Sequence, residues 1–322
     1  MRVIVTDDWE DAAFATVDWS LLGGDVTIES ITESLPADEL VVRLRGAEVV
    51  VAMRERTRWD AALLQQLPEL RLLVTTGMGN AAIDTEACAA LGITVAGTGS
   101  HPGGTAELTW TLILAAARGL DRIFPAMGQG WPRVVGTALH GRTLGLLGLG
   151  RVGGAVARVG AAFGMDVVAW TPTLDAERAG TVGARAGTRD EVIGSSHFLS
   201  LHLPLNPATT GMLGRDELAM MREDAWLINT ARAGLVDHTA LRDALDARMI
   251  AGAALDVFSE EPLPDSSPWR GRDDVILTPH LGFVTDTGLR TWFEDVVGDV
   301  RAWRAGMPTR VILQPDRPRP GA

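Results

Sequence analysis

Thr143-Leu144-Gly145-Leu146-Leu147-Gly148-Leu149-Gly150-Arg151-Val152-Gly153 is the stretch that decides the fold of this chain. Thr143–Leu147 is a short apolar run of strand length, and Val152–Phe163 reads as a helix. Between them, Gly148-Leu149-Gly150-Arg151-Val152-Gly153 matches G-x-G-x-x-G. The hexapeptide by itself is weak in a chain with 36 Gly. Flanked by strand and helix, it reads as a phosphate-binding turn. The first glycine allows the tight turn, the second lets backbone approach a pyrophosphate, and the third packs helix on strand. The anion then sits at the helix N-terminus. Gly148, Gly150, Arg151, Val152 and Gly153 are the expected contacts to a dinucleotide. An acidic residue that holds a ribose 2′-hydroxyl is expected roughly 20 residues further on. Thr171 stands there instead, with Arg178 nearby, so both NAD and NADP remain open as cofactor.

Outward from this turn, apolar runs alternate with amphipathic stretches, the pattern of an α/β fold with a parallel sheet. The runs from residue 144 onward are Leu144–Leu147, Asp166–Trp170, Phe198–Leu203, Ala225–Asn229, Gly252–Val257 and Val275–Leu277, a six-stranded doubly wound unit. Thr239–Met249 is one of the helical patterns between them. Before the turn, residues 2–6, Val49–Ala52, Leu72–Thr75 and Ile93–Ala96 read as strands of a smaller α/β unit. Gly97–Gly104 is loop chemistry. Thr105 then caps a buried helix from Ala106 to Arg118. A long amphipathic stretch from Thr285 to Ala305 carries the chain back to the first unit, and the Pro/Arg-rich tail from Pro315 reads as frayed. The expected architecture is two Rossmann-like doubly wound parallel-sheet domains with a cleft between them. One domain is residues 1–99 plus 288–322, discontinuous and flavodoxin-like; the other is residues 100–287.

Composition narrows the chemistry. The chain has 322 residues, of which 46% are hydrophobic and 22% charged, enough for buried cores and unlike a disordered chain. Its formal net charge of −12 argues against nucleic-acid or anionic-membrane binding. All 29 basic residues are Arg, so a Schiff base and a P-loop lysine are excluded. With no Tyr and no Lys, a Tyr–Lys proton donor is excluded too. The one cysteine, Cys88, cannot form an internal disulfide or a Cys-rich zinc site, and no metal site is expected. No apolar run reaches the roughly 18 residues of a membrane span. Met1-Arg2-Val3-Ile4-Val5-Thr6-Asp7-Asp8 turns acidic at once, without the apolar region of a signal peptide. A cytoplasmic protein is expected.

Three further segments end expected strands, where an open α/β sheet places its ligand chemistry. They are Ile228-Asn229-Thr230-Ala231-Arg232-Ala233-Gly234, Leu255-Asp256-Val257-Phe258-Ser259-Glu260-Glu261-Pro262 and Thr278-Pro279-His280-Leu281-Gly282. Arg232, Glu261 and His280 supply complementary parts. A guanidinium grips a carboxylate and polarises an adjacent carbonyl. An imidazole gives or takes a proton at oxygen, and a carboxylate beside it orients it and favours its charged form. With hydride from a nicotinamide, the set would reduce an α-keto acid.

With these motifs in this order, nearly the whole chain resembles the D-2-hydroxyacid dehydrogenase family, which includes phosphoglycerate dehydrogenases and glyoxylate/hydroxypyruvate reductases. Gly77-Met78-Gly79-Asn80-Ala81-Ala82-Ile83-Asp84 and Ala106-Glu107 also look like family motifs. The resemblance implies Arg232 as substrate anchor and His280 as acid/base with Glu261 as its partner. It implies that N–H groups at Met78 and Gly79 hold the substrate carboxylate and that Arg54 contacts its distal end. It implies Asp256 on the nicotinamide carboxamide, Thr230 and Ala231 along the cofactor cleft, and Gly282 beside the cofactor. His202 matches a family motif as a structural residue. A homodimer is implied, through the helix after His101 and the turn at Gly130-Trp131-Pro132. The partners expected are therefore a small 2-keto/2-hydroxy acid and a second copy of the chain, with no nucleic acid and no membrane.

Departures from the family pattern are Ala233-Gly234 for Gly-Gly, Thr171 for an acid, and Phe283 where close relatives often carry Tyr. Glu261 argues against the formate dehydrogenase branch, and the absence of Lys against the phosphite dehydrogenase branch. An added regulatory domain is not expected. The alternative reading is a non-catalytic NAD(H)-sensing protein of the corepressor type.

Overall fold

A computed structural model describes residues 1–101 and 103–316. The chain divides into two compact units, Met1–His101 with Thr285–Ala322, and Pro102–Val284. The strands of the first are β1 (Arg2–Thr6), β2 (Thr27–Ser30), β3 (Val49–Ala52), β4 (Leu72–Thr75) and β5 (Thr94–Gly97). Those of the second are β6 (Thr143–Leu147), β7 (Asp166–Trp170), β8 (Arg185–Ala186), β9 (Phe198–Leu201), β10 (Trp226–Asn229), β11 (Gly252–Leu255) and β12 (Val275–Leu277). The last strand, β13 (Val311–Leu313), returns to the first unit.

The first unit is a six-stranded sheet in the order β13-β5-β4-β3-β1-β2. Its pairs are parallel except β13 on β5, which is antiparallel. β3, β4 and β5 are buried along their whole length, which is why they read as continuous apolar runs. Ile4, Val50, Leu73 and Val95 face a cluster built around Trp59, Leu64, Leu70 and Ile93. Helix Asp286–Arg304 belongs to this unit and buries Leu289, Trp292, Phe293, Val296, Val297 and Val300. The Thr285 hydroxyl accepts the Gly288 N–H at its start, and Arg301 and Arg304 complement its C-terminal dipole. The Trp19 and Phe293 rings meet edge to face, their centroids 6.0 Å apart.

The second unit is a seven-stranded, all-parallel sheet in the order β12-β11-β10-β9-β6-β7-β8. Side chains alternate across it. Leu144, Leu146, Phe198, Ile228 and Ala254 pack on one side with helices Gly103–Arg118 and Arg151–Ala162. Leu199, Leu201, Leu227, Ala253 and Leu255 pack on the other with Val192, Leu218, Leu241 and Leu245. The strand order reverses between β6 and β9, and that switch point is where a doubly wound sheet binds its ligand.

The α/β reading with two parallel-sheet units holds. The sequence expectation missed several elements. The second sheet has seven strands, not six, because the two-residue β8 is too short to show periodicity. β2 and β13 are edge strands, part exposed, and so lack a continuous apolar run. Thr105 does not cap its helix: the helix begins at Gly103, and the Thr105 hydroxyl donates instead to the Gly282 carbonyl at 2.8 Å. The tail expected to fray from Pro315 lies, after Asp316, outside the described residues. Among the described residues, no helix is long and apolar enough to cross a membrane.

Candidate active site

The turn after β6 is built as its glycines require. Gly148 has φ +110°, and a Cβ there would lie 2.5 Å from the carbonyl carbon and oxygen of His202. A Cβ on Gly153 would run into the Gly148 carbonyl oxygen. A Cβ on Gly150 would meet nothing within 4 Å, so the backbone there faces open space. The Gly148 N–H donates to the Trp170 carbonyl at 2.8 Å, fastening the turn to the end of β7. Arg151 and Val152 open helix Arg151–Ala162, whose first-turn N–H groups have no acceptor within the helix. Two packed glycines, one open glycine and a helix N-terminus fit a pyrophosphate.

Thr171 follows β7 directly. Its hydroxyl accepts the Thr173 N–H at 3.4 Å. Arg178 lies on helix Ala176–Gly180, capped by Asp175, and its guanidinium donates to the Leu149 carbonyl at 3.2 Å. Sequence spacing left the reach of Arg178 open. The fold brings it to the glycine turn.

Arg232, Glu261 and His280 follow β10, β11 and β12, three neighbouring parallel strands. His280 Nδ1 is 2.7 Å from Glu261 Oε2. The other Glu261 oxygen accepts the Phe258 N–H at 2.8 Å, so the carboxylate is held at both ends. A carboxylate only accepts, so the proton between the two sits on Nδ1. In the neutral ring Nε2 then carries the lone pair. His280 adopts φ +55°, and its ring meets Phe283 edge to face at 5.4 Å.

Buried Asp256 shapes the segment that carries His280. One carboxylate oxygen accepts the Thr278 hydroxyl and the Leu281 N–H, both at 2.7 Å. The other accepts the Gly282 N–H at 3.0 Å. Burial pushes this carboxyl above its ordinary pKa, and the hydrogen bonds oppose the shift. Gly282 is clamped from both sides, by Asp256 at its N–H and by Thr105 at its carbonyl.

The segment ahead of Arg232 is organised by Asn229, which sequence reasoning did not single out. Its side chain accepts the Ala231 N–H at 3.1 Å and donates to the Arg232 carbonyl at 3.0 Å. A strand-terminal Asn, whose side chain can accept the backbone N–H two residues on, is the signal that could have found it. Thr230 pairs its hydroxyl with that of Thr109 at 2.8 Å. The Arg232 guanidinium donates to the Ala231 carbonyl at 2.7 Å. His202 is partly buried, 3.0 Å from the Ser200 hydroxyl, and burial holds its pKa at about 4.

In the first unit, Arg54 has φ +51° and a side chain only 14% exposed. Its backbone N–H donates to the Thr76 hydroxyl and its guanidinium to the Thr76 carbonyl, both at 2.9 Å. The Asn80 amide ties the Arg54 carbonyl to the Thr75 hydroxyl. The Gly77 N–H donates to Thr98 Oγ1 at 2.7 Å, Met78 is exposed, and a Cβ on Gly79 would meet nothing within 4 Å.

A doubly wound sheet whose strands lead into a glycine turn, an arginine and a carboxylate-bound histidine has the layout of a dinucleotide-fold protein with an acid/base site. Residues 110–282 match the profile of the NAD-binding domain of the D-isomer specific 2-hydroxyacid dehydrogenases. The chain is 37% identical over 278 residues to the glyoxylate reductase of Aeropyrum pernix, covering 83% of each chain. It is 32% identical to the D-3-phosphoglycerate dehydrogenase of Methanocaldococcus jannaschii, across 99% of this chain and 60% of that one. It thus spans about three fifths of that relative's length. The crystal structure of a phosphoglycerate oxidoreductase from Vibrio cholerae O395 superposes with a TM-score of 0.89 at 33% identity, covering 95% of this chain and 99% of that one. The chain belongs to the D-isomer specific 2-hydroxyacid dehydrogenase family. These matches do not favour the corepressor-type alternative.

Proposed function

We propose that this chain transfers a hydride between a nicotinamide cofactor and a small 2-keto or D-2-hydroxy acid. The observation that carries the reading is the 2.7 Å contact of His280 with Glu261, on the segments that follow β12 and β11, with β11 next to the β10 that leads to Arg232. A bound reduced nicotinamide supplies the hydride. The cofactor would be held by Gly148, Gly150, Gly153 and the N–H groups at Arg151 and Val152, with Thr171, Thr230, Ala231, Asp256 and Gly282 beside it.

In the reducing direction, Arg232 binds the substrate carboxylate and polarises its carbonyl. His280 Nε2 gives its proton to the carbonyl oxygen as that oxygen gains charge. Glu261 offsets the positive charge on the imidazolium before transfer and keeps Nε2 aimed. In the oxidising direction, neutral His280 takes the hydroxyl proton. Family resemblance assigns Arg54 and the N–H groups of Met78 and Gly79 to substrate binding as well.

We infer a homodimer formed through the second unit. Phe124, Met127, Trp131 and Val135 leave large apolar surfaces exposed within a dozen residues there. The single buried thiol, Cys88, fits a cytoplasmic, reducing setting.

Oxidation of NADH and NADPH, followed with glyoxylate, hydroxypyruvate, pyruvate, phenylpyruvate and 3-phosphohydroxypyruvate, tests the reading. Turnover with one of them, lost in His280→Ala, is the expected result. Cofactor binding with turnover on none would overturn it for this range of substrates.

A further inference from the structure

We infer that this chain selects NADPH over NADH, through a guanidinium-lined recess for the adenosine 2′-phosphate; this rests on the dehydrogenase reading above. Three observations converge on it. The first is the end of β7. An NAD-selecting sheet places a carboxylate there, which accepts the 2′-hydroxyl and repels a 2′-phosphate. Thr171 carries no charge, and its hydroxyl donates to phosphate as readily as to ribose.

The second is the path of Arg178. Its helix starts at Ala176, five residues beyond Thr171, with Asp175 as cap, and Asp175 accepts the Arg178 N–H at 2.7 Å. The guanidinium reaches back to the Leu149 carbonyl at 3.2 Å. A cation is thereby fixed beside the glycine turn. The Gly148 N–H bond to the Trp170 carbonyl brings that turn against the residue preceding Thr171. Among the described residues the guanidinium bonds the Leu149 carbonyl alone, which leaves the other N–H groups of the Arg178 fork to serve an anion.

The third is the recess itself. A cavity of about 150 Å³ runs from the glycine turn, at Leu149 and Gly150, past Arg151, Arg158 and Arg178 to Thr181, with Thr171 outside its lining. Three guanidinium-bearing residues line it, and no carboxylate does among the described residues. A pyrophosphate needs only the glycine turn and the helix N-terminus. Three arginines on the recess, together with an uncharged Thr171 after β7, are more positive charge than that diphosphate requires. A third phosphate, on the adenosine ribose, accounts for it. Planar guanidinium forks suit a phosphate monoester dianion, whose hydrogen bonds are charge-assisted.

Calorimetric titration of the protein with NADPH, NADH, adenosine 2′,5′-bisphosphate and AMP reads the preference without turnover. NADPH is expected to bind at least about tenfold tighter than NADH, and the bisphosphate tighter than AMP, as charge-assisted bonds to an added phosphate require. The NADPH affinity should fall more steeply with salt. Arg178→Ala should weaken NADPH about tenfold and NADH less than about threefold. Thr171→Glu, at a partly exposed site that tolerates substitution, should reverse the preference. Wild-type binding of NADH as tight as NADPH would overturn the inference while leaving the dehydrogenase reading intact. So would equal losses for both cofactors in Arg178→Ala. Failure to bind either dinucleotide would overturn both.

Discussion

His280 and Glu261 stand 19 positions apart in the chain, yet Nδ1 of one lies 2.7 Å from Oε2 of the other. The second Glu261 oxygen is occupied by the Phe258 N–H, so the carboxylate cannot swing away from the ring. An imidazole held at Nδ1 presents Nε2 in one orientation. That is what a proton donor needs at a carbonyl whose charge develops in one place.

His280→Ala removes the proposed proton donor and is expected to lower kcat by about 10²–10⁴-fold. Glu261→Gln keeps a hydrogen-bond acceptor for Nδ1 but loses the charge that favours imidazolium. Its loss in kcat should be smaller, about 10–100-fold. Steady-state kinetics across pH separate the two variants. A Glu261→Gln profile superimposable on wild type would show that the pair does not act together.

Asp256→Asn replaces one acceptor oxygen of a buried carboxylate by an amide nitrogen. Three donors converge on that carboxylate, so at least one of the Thr278, Leu281 and Gly282 bonds is lost. A loss of about 1–3 kcal/mol in unfolding free energy is expected, by the usual cost of an unmatched buried polar group. A fall in kcat should accompany it, because the same bonds fix the backbone on either side of His280. Urea unfolding and kinetics on one preparation check both, and unchanged values of each would show that Asp256 does not hold the segment.

Gly153→Ala places a methyl where the Gly148 carbonyl oxygen already sits. The turn must open, and dinucleotide affinity is expected to fall by about a hundredfold or more, since a misplaced anion site loses several charge-assisted bonds. Gly150→Ala meets no protein atom within 4 Å, so the protein should stay fully folded while binding weakens. Circular dichroism with cofactor titration distinguishes the two. Undiminished binding in both variants would exclude this turn as the pyrophosphate site.

His202, whose backbone packs on Gly148, is expected to make the folded state acid-sensitive. Burial depresses its pKa in the folded chain to about 4, against 6.5 in the unfolded chain. Between those values the unfolded state binds more protons, so stability is complete above pH 6.5 and is lost as pH falls through about 4. From pH 7 to pH 5 the loss is up to about 2 kcal/mol. Raised carboxyl groups such as Asp256 and Asp7 act in the opposite sense, because each favours the folded state most at low pH. A His202→Gln variant isolates the histidine: its stability should fall less than wild type between pH 7 and 5. An equal fall in both would assign the acid sensitivity elsewhere.

Much of this site was legible along the chain. Strand, glycine turn and helix were readable because the turn admits few residue types at Gly148 and Gly153, and because β3, β4 and β5, buried throughout, leave unbroken apolar runs. Arg232, Glu261 and His280 could be singled out because each follows a strand of one parallel sheet. Edge strands β2 and β13 and the two-residue β8 escaped, since an exposed or very short strand imposes no pattern on its residues.

Local sequence was enough for the fold class, the glycine turn and the candidate chemistry of an arginine, a carboxylate and a histidine. These depend on local constraints: allowed backbone angles, burial periodicity and functional-group type. The tertiary structure alone decided which groups meet. It placed Asp256 across the Thr278–Gly282 segment, turned Thr105 from an expected cap into a clamp on Gly282, folded the Asn229 amide over the Arg232 backbone and carried Arg178 back to Leu149. Such contacts join residues up to 177 positions apart. A hydrogen bond needs its partners within about 3 Å, and only the packing of strands and helices sets that distance.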